Sequence, residues 1–121
     1  MKQRQIGAKS WFFTDMVRDN CKFTLVNSAN EDNFVSVALY YEDNKNNVSR
    51  IKINLEPKSV KMIDFENPDT LGNAFENAVS YGLGKKFHSS KDLPADKIFT
   101  VRFSSNIPVV ISGEKPAAYF N

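Results

Sequence analysis

The chain has 121 residues, 41% hydrophobic and 25% charged, which describes one globular domain, spanning 1–121, able to bury a core without disulfides. The single cysteine excludes an intrachain disulfide, and a net charge of +2 is too small to argue for nucleic acid by itself. No apolar run reaches membrane-spanning length.

The N-terminus, "MKQRQIGAKSW", is basic but has no apolar stretch behind it, so no signal peptide is expected and the default location is cytoplasmic. "WFF" at 11 to 13 and "YF" at 119 and 120 place aromatic residues near both ends of the chain. Trp11, Phe12, Tyr119 and Phe120 either close the ends of a core or form contacts between copies in a homo-oligomer. Exposed aromatics near strand ends also suit sugar rings, so a carbohydrate-binding module is the alternative function.

From residue 21 the dominant signal has period two. "CKFTLVN" alternates Cys21, Phe23 and Leu25 with Lys22 and Thr24, and "FVSVALYY" alternates Val35, Val37, Leu39 and Tyr41 with Phe34, Ser36, Ala38 and Tyr40. "SRIKINL", "SVKMIDF" and "KIFTVRF" continue the pattern, and "IPVVISG" adds a short apolar run. Runs of this length, rich in β-branched and aromatic residues, are strands. Polar clusters at 27–33 and 42–47 and "EP" at 56 and 57 separate them, and Asn and Asp suit turns. The expected fold is an all-β antiparallel sandwich of about seven or eight strands. Pro108 suggests an edge or strand-entry position. Cys21, in an apolar-alternating run, is expected to be buried and inert.

"RIKINLEPKSVKMIDF" at 50–65 reads as a hairpin around Pro57, with Ile51, Ile53, Val60 and Met62 buried. Its outward face then carries Arg50, Lys52 and Lys61, extended by Arg102 if that residue's strand shares the sheet. Such a face is either solvated, discouraging promiscuous edge pairing, or a patch that meets an acidic protein partner or an anionic ligand.

"DTLGNAFENAVSYGLG" breaks the period. Leu71, Phe75, Ala78 and Val79 have helical spacing, predicting one short helix or helical turn with Asp69 or Thr70 as cap and Gly82 as stop. "GLGKKFHSSKDLPADK" then reads as a long loop. Within it Lys85, Lys86, Phe87, His88 and Lys91 either belong to an ordinary mobile loop or grip phosphates beside a stacked base.

Catalytic templates are missing. His88 is the sole histidine and no nucleophile elbow accompanies it. "GLGKK" lacks the rest of a phosphate-binding loop. One Cys and one His cannot form a zinc site, and the acidic turns lack calcium-loop spacing. The expectation is a protein that is not an enzyme and needs no cofactor or metal.

"KFTLVNSANEDNFVSVALYYED", "RFSSNIPVVIS" and "WFFTD", in that order in a chain near 120 residues, resemble the soluble sensory rhodopsin transducer family of bacterial β-sandwich proteins. Met16 stands where that family has a Gly, and the stretch at about 67–96 looks like an insertion carrying the short helix and basic loop. The resemblance implies the sandwich fold, a tetrameric habit, and a small cytoplasmic signalling or ligand-binding role. DNA or carbohydrate binding has weaker support from the same resemblance.

Overall fold

The computed structural model describes residues 7–42, 46–82, 84–115 and 117–120. Residues 1–6 of the basic N-terminal segment and residues 43–45 of the acidic turn lie outside the described residues. Among the described residues nine strands follow in chain order: β1 (Ala8–Met16), β2 (Lys22–Asn27), β3 (Asn33–Tyr41), β4 (Val48–Leu55), β5 (Ser59–Asp64), β6 (Val79–Ser80), β7 (Lys85–Lys86), β8 (Phe99–Gly113) and β9 (Ala118–Phe120). Each of their pairings is antiparallel. The all-β sandwich expected from the alternation is present.

The 15-residue strand β8 organises the architecture. Its first half pairs with β1 on one side and β3 on the other, so Phe103 opposes both Trp11 and Val37. Its second half pairs with β2, Val110 opposing Val26. One half of the curled sheet therefore runs β9-β1-β8-β3-β4-β6-β7, and the other β8-β2-β5. Pro108 falls where β8 passes from one half to the other, a place where a missing N–H breaks no long ladder. Asn33, buried, donates its side-chain amide to the Ile107 carbonyl at 2.9 Å, and the Ser105 hydroxyl donates to the same oxygen at 2.7 Å.

Between the halves lies one apolar cluster. Phe23 of β2 meets Phe13 of β1 at 4.8 Å and Phe103 of β8 at 4.9 Å, both edge-on. Such pairs add about 0.5–1.5 kcal/mol each beyond area burial. Val35, Val37, Leu39, Ile51, Ile53 and Leu55 face the same core, as their alternation predicts. Cys21 is also buried there, and burial pushes its thiol pKa far up, as does the Asp64 charge beside it.

Two local expectations are corrected. β4 and β5 do not pair: β4 lies between β3 and β6, whereas β5 pairs with β2 in the other half. The connection crosses between layers, with Lys58 left-handed (φ 51°) and its N–H on the Ala29 carbonyl at 3.0 Å. Crossing resets which parity faces inward. Ile63 is buried opposite Phe23, while Val60 and Met62 are 64% and 73% exposed rather than buried.

The second concerns the segment at 68–78, where helical turns stand in place of a continuous short helix. Pro68–Thr70 form a single 3-10 turn, followed by successive turns closed by i→i−3 bonds such as Ala74 N–H to Leu71 and Ala78 N–H to Phe75. Gly72 adopts φ 55°, a left-handed conformation that cannot continue an α-helix. The apolar positions nevertheless point inward: Leu71, Phe75 and Ala78 are buried.

Candidate anion-binding face

The outward side of β8-β3-β4 carries the residues that alternate with the core. Register places Ser104, Ser36 and Lys52 in one row, and Arg102 beside Ala38 in the next. Between Val37 and Leu39 the β3–β4 register shifts, so that Ser49 and Arg50 together face Ala38, and Arg50 is left-handed (φ 65°). A bulge of this kind re-aims side chains and strengthens local twist. The Lys52 N–H is held by the Ala74 carbonyl at 3.1 Å, which fixes that backbone against the turn at 71–78.

Neighbouring strands lie about 4.8 Å apart, so Arg102 and Arg50 flank β3 at about 10 Å between their Cα atoms. The side chains between them are small, Ser36 and Ala38, so the floor is low and the cations form its walls. Two shallow clefts result. A cavity of about 290 Å³ is bordered by Ser49, Arg50, Lys52, Arg102 and Ser104. An adjoining one of about 260 Å³ lies where β8 leaves β3, between Phe34, Lys52, Ser105 and Asn106. Ser36, Lys52 and Ser104 border both, and neither lining includes a carboxylate.

Arg102 lies over the Phe12 ring, 5.7 Å from its centroid, and Phe12 in turn meets Phe120 edge-on at 5.8 Å. At the far side, the Ser49 hydroxyl and the Arg50 guanidinium draw the exposed Tyr81 phenol below the ordinary tyrosine range.

Of the basic residues expected to share a face, Arg50, Lys52 and Arg102 do so. Lys61 does not. It opposes Leu25 in the β2–β5 ladder and is half-buried on the inward parity of that edge strand. The placement follows from the layer crossing described above.

The basic loop is ordered locally. Lys85 and Lys86 form β7 against β6, and Lys85 lies over the Phe87 ring at 5.8 Å. Phe87 is buried and offers no stacking surface. The Asp92 carboxylate accepts the His88 and Ser89 N–H groups at 2.8 and 3.3 Å; the His88 bond is the chief cause of its lowered pKa. The exposed His88 thus contributes its backbone to a turn cap.

Trp11, expected either to close a core end or to contact another copy, is 3% exposed, and its indole N–H donates to Val109 and Ala8 carbonyls. Tyr119 packs on it at 4.9 Å, and β9 pairs with β1, so the terminal aromatics close one end of this chain's own core. Phe12 is half-buried, while Tyr119 and Phe120 keep about half their surface exposed. Val60 and Met62 form an exposed apolar pair on edge strand β5 that no sequence signal marks, because their alternation is that of any core strand. Among the described residues no three His, Cys, Asp or Glu side chains come together, and no helix is long and apolar enough to cross a membrane.

No protein-family model matches the chain, and no curated protein matches it. Solved structures do. The Anabaena sensory rhodopsin transducer superposes with a TM-score of 0.64 at 19% identity, covering 92% of this chain and 99% of that one. A Thermotoga maritima protein, known by its crystal structure as 1070, gives 0.57 at 17% identity over 97% of both. The chain shares their fold over nearly its whole length, as its resemblance to the transducer family implied.

Proposed function

We propose that this chain is a non-catalytic, oligomeric binding and signalling module of the cytoplasm that receives an acidic protein partner or an anionic ligand on the outer face of β8-β3-β4. The observation that carries the proposal is the convergence of Arg50, Lys52 and Arg102, from strands far apart in sequence, around clefts whose linings include no carboxylate. Clustered cations on a shaped surface raise the local concentration of anions and steer their approach. The fold shared with a sensory rhodopsin transducer supports a role as a small module acting through contacts. Self-association is supported by the exposed Val60 and Met62 on an open sheet edge and by Tyr119 and Phe120. Sugar recognition, the alternative, would use exposed rings such as Phe34, Tyr81, Tyr119 or Phe120, because Trp11 is buried.

The test compares two lysines with a fluorescent polyglutamate probe at several salt concentrations. Lys52→Ala is expected to weaken binding several-fold and flatten its salt dependence, while Lys61→Ala leaves both unchanged. Equal effects, or none from Lys52→Ala, would overturn the assignment of the face. Light scattering at micromolar concentration tests the oligomer, and a strict monomer removes that part of the proposal.

A further inference from the structure

The two clefts differ in chemistry, and the difference specifies a ligand. The one between Arg50 and Arg102 is cationic and lined by hydroxyls. Its neighbour combines the 63% exposed ring of Phe34 with the side-chain amide of Asn106. Such a ring offers a stacking face, and an amide can both donate to and accept from the edge of a polar heterocycle. Lys52, Ser36 and Ser104 border both clefts, so they form one continuous trough along β3. Phe34 and Ala38 lie about 13 Å apart at the rise of a strand, the reach of an extended nucleoside diphosphate.

We propose that the trough binds a small nucleotide, with its base against Phe34 and Asn106 and its phosphates between Lys52, Arg50 and Arg102. The inference rests on the anion-binding reading above and specifies it further. Ser36 and Ser104 hydroxyls lie at the junction, where the sugar and first phosphate pass. Ala38 leaves the phosphate end open, because a larger side chain there would fill the space between the two arginines.

The experiment is calorimetric titration at low salt with pyrophosphate, ribose 5-phosphate, four nucleoside diphosphates and oligothymidylate. At least one nucleoside diphosphate is expected to bind ten times or more tighter than pyrophosphate or ribose 5-phosphate. Phe34→Ala should abolish that advantage, a loss of about ten- to a hundredfold, while leaving pyrophosphate binding within about twofold. Lys52→Ala should weaken both. Phe34 and Lys52 are exposed, so both variants are expected to keep the wild-type unfolding midpoint. If pyrophosphate binds as tightly as every nucleoside diphosphate, the base subsite is overturned and the anion-binding face stands. If neither pyrophosphate nor polyglutamate binds, both fall. Oligothymidylate binding far tighter than any mononucleotide would overturn the small-ligand proposal in favour of a strand.

Discussion

Arg102 rests over the face of Phe12, its guanidinium carbon 5.7 Å from the ring centroid. The two residues are directly opposed in the β1–β8 ladder, so the backbone register holds the charge above the ring. A double-mutant cycle of Phe12→Leu and Arg102→Ala, read by urea unfolding, is expected to give a coupling of about 0.5–1 kcal/mol, the value of an exposed cation–π pair. Zero coupling would show that the contact contributes no stability.

Trp11 is expected to behave as a core residue. Its N–H reaches the Val109 carbonyl at 2.8 Å from the far end of the chain. Trp11→Phe should destabilise the protein by about 1–3 kcal/mol by leaving a buried carbonyl without its donor. The native fluorescence should be blue-shifted and resist acrylamide quenching until the protein unfolds. An emission maximum near that of free tryptophan would contradict the burial.

Cys21 should be unreactive in the native state. Its thiol is buried and its pKa is raised, first by desolvation and then by Asp64, so little thiolate exists to attack an alkylating agent. Iodoacetamide at pH 8 is expected to label it only at the rate of global unfolding. The folded thiol keeps its proton where the unfolded one, with an ordinary pKa of about 8.5, loses it. Stability is therefore full below that pH and declines as pH rises above it. Cys21→Ala should flatten this alkaline decline.

Asp92 should stabilise its loop only where it is ionised. Its carboxylate holds the His88 and Ser89 N–H groups, which lowers its pKa below the ordinary range. That contribution is present above the unfolded pKa of about 3.9 and is lost as pH falls through the lower folded value. Asp92→Asn should speed amide exchange at His88 and Ser89 at neutral pH, with little effect on strands β3 and β8. Unchanged exchange there would show that the cap does not hold the loop.

The strands were legible because period two is a local property. Val35, Val37, Ile51 and Ile53 face the core without reference to any distant residue. The same rule misplaced Val60 and Met62, because parity carries across a turn only when both strands stay in one sheet, and the Glu56–Lys58 connection changes layers. Leu71, Phe75 and Ala78 share a buried side as their spacing allows, but Gly72 divides their segment into single turns.

What the sequence determined by itself was the alternation, and with it an all-β fold with Lys52, Arg50 and Arg102 turned outward on their own strands. Tertiary structure alone decided that these cations meet, that Lys61 belongs elsewhere and that Phe34 opens onto the same trough. The reason is that strand pairing joins residues separated by dozens of positions. Side-chain direction follows from neighbouring backbone, but which strand lies alongside depends on how β8 changes partners around Pro108 to serve both halves of the sheet.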